Sequence, residues 1–162
     1  MMYNFPMSQA PILLLPRGFF IPDDAQWVIA GEPLPIPFAQ DPVQAGFPSP
    51  AAPYIEDTID LNDLLIGNQA ATFMVRVRGE SLLKLGVFPN DLMLVDRSLE
   101  PKQMDLVLVE MDNAFTVKKI DLRDISLHPE NDDFPIIRPH EFSELRLVGV
   151  VTWVLKKMHG AV

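Results

Sequence analysis

A serine held in a tight glycine turn and a lysine held in a strand are together enough to break an amide bond. Arg76-Val77-Arg78-Gly79-Glu80-Ser81-Leu82 supplies the first, as a strand running into a turn that presents Ser81. Phe115-Thr116-Val117-Lys118-Lys119 supplies the second, as a strand carrying lysines where an amphipathic strand needs none. Brought together, the hydroxyl is a nucleophile and a deprotonated lysine its general base. Serine and lysine are common on surfaces, so the pairing alone is a weak signal. Its ordinary reading is a turn serine and a solvated lysine. A working base also needs its pKa brought from about 10.4 to roughly 7–8. Burial between strands without a carboxylate partner does that, because desolvation disfavours the charged form.

Which lysine is buried is not settled by periodicity. Strict alternation puts Phe115, Val117 and Lys119 on one face, so the apolar side carries Lys119 and not Lys118. A core strand covered on both faces could bury either.

The elements that must position these residues are mostly strands. Thr72 to Arg78 alternates, with Phe73, Val75 and Val77 on one face. Asp91 to Asp96 is a short apolar run between turns at Pro89-Asn90 and Arg97-Ser98. Asp105 to Met111 and Ala114 to Ile120 flank Asp112-Asn113, a two-residue hairpin signal without the usual glycine. Pro129 to Pro139 reads as a polar, acidic loop, and Leu145 to Leu155 as the last long strand. Asp60 to Gly67 reads as a short helix capped by Thr58 or Asp60. The fold class is therefore mainly β: a small antiparallel domain, not an α/β sheet.

Proline marks the organisation. Eleven of the 16 prolines lie in residues 1–53, which forbids a long helix or central strand there. The apolar islands Ile12 to Leu15, Phe19 to Ile21 and Trp27 to Ile29 want a surface to lie on. The reading is an extended arm, residues 1–45, packed on a body, a twin subunit or a partner. Residues 46–162 form the body. At the junction, Ala45-Gly46 places two small residues in an extended segment, which suits a scissile bond as well as an ordinary turn.

Composition narrows the rest. The net charge is -9, with scattered cations, which argues against direct grip on a nucleic-acid backbone. There is no cysteine, so disulfides and thiolate chemistry are excluded. His128, His140 and His159 match no metal-ligand spacing, so neither a metal nor a cofactor is expected. No apolar run is long enough to span a membrane, and no charged leader precedes Ile12 to Leu15. The expected compartment is the cytoplasm.

Ala45-Gly46-Phe47-Pro48-Ser49-Pro50-Ala51-Ala52, Ile59-Asp60-Leu61-Asn62, Gly79-Glu80-Ser81 and Phe115 to Lys119, in that order and spacing, resemble the LexA-like family of Ser-Lys autoproteases. Within it the likeness is to the UmuD type of translesion-polymerase accessory subunit, and it runs from about Pro35 to Leu155. The resemblance implies Ser81 as nucleophile, Lys118 as general base, and Ala45-Gly46 as the bond cut in the chain's own arm. It implies an oxyanion turn at Gly79, Glu80 and Ser81. It further implies a homodimer, a UmuC-type polymerase subunit as partner, and a RecA filament on single-stranded DNA as stimulator of cleavage. The sequence departs from the family at Glu80 and Leu82, where Asp and Met are usual. It departs again at Asn90 and Met104, where turn glycines are usual. No basic helix-turn-helix fits the proline-rich arm, which disfavours a repressor. A non-catalytic binding module of the same fold, regulating a polymerase, is the alternative. An enzyme acting on other chains, as signal peptidases do, is a weaker third.

Overall fold

The computed structural model describes residues 13–14, 22–27, 31–39, 55–140 and 144–160. Among these residues, ten strands and one short α-helix follow in chain order. They are β1 (Leu13–Leu14), β2 (Gln26–Trp27), β3 (Pro35–Ala39), β4 (Ile55–Asp60), α1 (Leu61–Leu65), β5 (Thr72–Arg76), β6 (Leu92–Asp96), β7 (Leu106–Met111), β8 (Ala114–Asp121), β9 (Ser126–His128) and β10 (Glu144–Leu155). The main sheet runs β2-β5-β6-β10-β7-β8-β9, with β1 added to β10, and β3 and β4 form a separate pair. All pairings are antiparallel except β1 with β10. The fold is mainly β, as the alternating runs required.

Helix α1 begins where Asp60 accepts from the Asn62 N–H at 2.9 Å, which makes Asp60 and not Thr58 the cap. The Asp112-Asn113 turn closes β7 onto β8 with both residues at positive φ, 49° and 65°, the geometry that fits strand twist. The glycine usual there is absent, but Asn and Asp tolerate this region best after glycine.

Two apolar clusters lie against the sheet. Phe73, Val75, Met93, Val95, Leu108 and Val148 make one, which Leu82 joins from the turn after Ser81. Val107, Val109, Ile120, Leu127, Leu145 and Val150 make the other. Strand β7 feeds both, Leu108 to the first and its neighbours Val107 and Val109 to the second. It therefore reads as an unbroken apolar run. Strand β10 also serves both clusters, and its register slips between Leu147 and Gly149 and again between Val151 and Trp153. At Gly149 the partner strand is so close that a Cβ would lie 2.7 Å from a Val95 methyl and 2.8 Å from the Asp96 carbonyl oxygen. Only glycine fits that crossing.

Three parts of the arm are paired. β1 lies beside β10, β2 beside β5, and β3 beside β4, so among the described residues the proline-rich segment contributes short strands. Ala45-Gly46 and the islands Phe19 to Ile21 and Val28 to Ile29 lie outside the described residues.

Candidate active site

Ser81 follows a turn in which Gly79 has φ 78°, a conformation that glycine adopts without strain. The chain after it tightens into a short 3-10 turn, Leu83–Leu85, and Leu82 is buried in the first cluster. The turn is braced from outside by the segment after β9. The Glu130 N–H donates to the Ser81 carbonyl at 2.7 Å, and the Lys84 N–H donates to the Glu130 carbonyl at 2.8 Å. The Asn131 side-chain amide donates to the Glu80 carbonyl at 2.8 Å, and Lys84 pairs with Asp132. Sequence reading made Pro129 to Pro139 a polar loop and missed this brace.

Lys118 sits on β8 with 6% exposure. Its Nζ lies 2.7 Å from Ser81 Oγ, 2.9 Å from Thr116 Oγ1 and 3.1 Å from the Val117 carbonyl oxygen. Among the described residues no carboxylate is within ion-pair distance of it, and burial pushes its pKa below the ordinary lysine value. All three neighbours accept from Nζ, which matches the three donors of an ammonium; a neutral amine would keep two of these bonds and turn its lone pair to the Ser81 hydroxyl.

Lys119 is different in kind. It is half-buried and paired with Glu130 at 2.8 Å. The alternation argument, which made the face of Phe115, Val117 and Lys119 the apolar one, is therefore corrected. The deeper positions on β8 are Lys118 and Ile120, at 6% and 4% exposure, while Phe115 is 37% exposed. Ile120 and its neighbours are covered by the second cluster, whereas Phe115 lies near the open hairpin end and lines a cleft.

That cleft has a volume of about 530 Å³. Residues 75–79 and Ser81 line it from the β5 side, residues 115–117 from β8, and Pro22, Asp23 and Asp24 from the arm. It lies between the end of β5 and β8, the kind of strand-lined groove on which extended peptides dock.

The other hydroxyl and imidazole groups make a different arrangement. Ser126 Oγ lies between Asp124 and His128, 2.8 Å from the His128 Nε2, but Ser126 is 0% exposed. No substrate carbonyl reaches it. The Asp124 carboxyl is lowered by its bond from Ser126, and Asp121 is held well below the carboxylate range by Arg123 and Gln103. Both close turns at the far end of β8. Among the described residues no three His, Asp or Glu side chains gather as a metal site, and no helix is long and apolar enough to cross a membrane.

The chain matches the Peptidase S24-like family over residues 37–152, and it belongs to that family. Among curated relatives, protein SamA of Salmonella typhimurium is 46% identical over 114 residues, covering 70% of this chain and 79% of SamA. Protein ImpA of Escherichia coli is 41% identical, covering 75% and 83%, and protein MucA of Salmonella typhimurium is 38% identical, covering 72% and 82%. The LexA repressor of Caldicellulosiruptor saccharolyticus is 34% identical over 118 residues, 72% of this chain and 56% of the repressor. The resemblance read from the residue strings thus holds for the family and for most of the body.

Proposed function

We propose that the chain is a self-cleaving serine peptidase in which Ser81 is the nucleophile and Lys118 the general base. The observation that carries this is the 2.7 Å contact between Lys118 Nζ and Ser81 Oγ at a lysine that is buried and, among the described residues, unpaired with any carboxylate. Lys118 takes the hydroxyl proton as Ser81 Oγ adds to the Ala45 carbonyl carbon. Backbone N–H groups around Gly79, Glu80 and Ser81 hold the oxyanion. Collapse breaks the Ala45–Gly46 bond, and the Lys118 proton goes to the leaving Gly46 amine. Water, deprotonated by Lys118, then hydrolyses the Ala45–Ser81 ester and regenerates both groups. The bond lies in residues 40–54, between β3 and β4, which pair with each other, so the substrate segment belongs to the same chain as Ser81 and is held at both ends.

The test is mass spectrometry of the purified chain incubated at alkaline pH. Fragments ending at Ala45 and starting at Gly46 are expected from the wild type. Ser81→Ala and Lys118→Ala should give none. An intact wild-type chain would leave the binding-module alternative.

For the biological setting we propose the one that the likeness to SamA, ImpA and MucA supports. The arm, 1–45, is a regulatory segment, and the 46–162 body dimerises and serves as an accessory subunit of a UmuC-type translesion polymerase in the SOS response. A RecA filament on single-stranded DNA stimulates the cut, and the protein works in the cytoplasm. The arm carries one cation and four anions, so the body alone is still acidic, with 12 cations against 18 anions. Phosphate contact stays unfavourable after cleavage, and apolar surface changes instead. A pull-down of the polymerase subunit by residues 46–162 should exceed that by uncleavable Ser81→Ala chain, with no tight single-stranded DNA binding by either. Equal capture by both forms would sink this switch.

A further inference from the structure

Pro22–Trp27 lies before the family match begins at residue 37, yet it is built onto the sheet beside the cleft. Without it, β5 would present an open edge, a ready template for another strand. We propose that this outer edge of β5 is a docking site for an extended peptide, and that Pro22–Trp27 is its resident occupant, obstructing access to Ser81.

Among the described residues, three contacts hold the segment. Its backbone pairs Gln26 with Met74 and Trp27 with Phe73. Ala25 packs on the first core cluster, and its N–H closes a turn onto the Pro22 carbonyl at 2.9 Å. The Asp24 carboxylate meets the Arg78 guanidinium at 3.0 Å. The pairing is antiparallel, so moving back from Gln26 toward Pro22 runs forward along 76–78, toward Ser81. Pro22, Asp23 and Asp24 accordingly line the same cleft as Ser81.

An extended peptide bringing its carbonyl to Ser81 along this edge needs the space these residues fill. Among the described residues the ladder is two residues long, and the Arg78 side chain is 82% exposed, so its ion pair contributes little alone. A ligand that binds only the open edge therefore displaces the segment by shifting a modest equilibrium. Obstruction of the cleft stands on this geometry. Its consequence for self-cleavage rests on the peptidase reading.

The lack of cysteine allows a direct test. Ser81→Cys in the full chain sets a single thiol in the cleft. Its alkylation rate with fluorescein maleimide, divided by that with iodoacetamide, reports access for a bulky group without any catalysis. Asp24→Asn removes the ion pair, and Gln26→Pro breaks the strand pairing. The ratio should rise about two- to fivefold in Asp24→Asn and further in Gln26→Pro. An unchanged ratio in both overturns the proposal, and Asp24→Asn decides alone if Gln26→Pro does not fold. With Ser81 restored, the same substitutions should speed the cut. A chain that never cuts brings down the peptidase reading, and the labelling ratio still decides the obstruction.

Discussion

The Glu130 carboxylate holds the Lys119 ammonium at 2.8 Å, while the N–H of the same Glu130 donates to the Ser81 carbonyl at 2.7 Å. One residue thus ties the strand that carries the lysines to the turn that carries the serine. Adjacent lysines have separate tasks: Lys118 faces the hydroxyl, and Lys119 fixes the distance between their two elements.

Lys119→Ala should therefore slow self-cleavage without abolishing it. A half-buried ion pair of this kind is worth on the order of 1 kcal/mol, so the loss should be about fivefold. Lys118→Ala should give no measurable cut. Time courses on gels at one alkaline pH compare the two, and a dead Lys119→Ala would move the base by one position.

The rate of cutting should climb with pH and level off once Lys118 is neutral. Its folded pKa lies below its unfolded one, so between the two values the unfolded chain binds more protons. Stability should consequently rise with pH across that window, and the penalty of the buried charge is present in full below it. Urea titrations of Ser81→Ala against Ser81→Ala with Lys118→Met isolate the effect. The double variant should be the more stable at neutral pH, with the gap narrowing as pH rises. A cutting rate that falls from pH 7 to 10 would remove lysine as the base.

Gly149→Ala should destabilise the fold by about 1–3 kcal/mol, because the new methyl meets Val95 and the Asp96 backbone at under 3 Å. The urea midpoint should drop accordingly. A variant as stable as the parent would mean that β6 and β10 are not so closely approached.

Met104 has φ 63°, a left-handed conformation that is uncommon for its type, and its side chain is 37% exposed. Met104→Gly should relieve that strain with little loss of packing. The net gain is about 0.5–1 kcal/mol after the added chain entropy of glycine. Thermal melts read it as a rise of a few degrees, and a fall would show that the methionine side chain is needed.

Much of this was legible. Phe73, Val75 and the Asp112-Asn113 turn announced β5 and the β7–β8 hairpin through period and turn chemistry. Asn90 and Met104, noted as departures from turn glycines, both prove to have positive φ. Strand β9 was not legible, since Ser126-Leu127-His128 offers one apolar residue and no period. The brace on Ser81 was hidden because it works largely through Glu130 backbone atoms, which no side-chain pattern records. Lys118 was ambiguous because β8 is covered on both faces, and its neighbours could not say which cover is deeper. Strands β1 and β2 appeared only as apolar islands, each too short to alternate.

The position of β10 sets an order in time. It lies between β6 and β7 and joins the half of the sheet nearest Ser81 to the half carrying Lys118. Both residues leave the ribosome before Glu144 does. On the proposed peptidase reading, a nascent chain at that stage would hold nucleophile and base but not the strand that registers one against the other. Cutting during synthesis would then wait until β10 has emerged and threaded between its neighbours, a long-range step that is intrinsically slow.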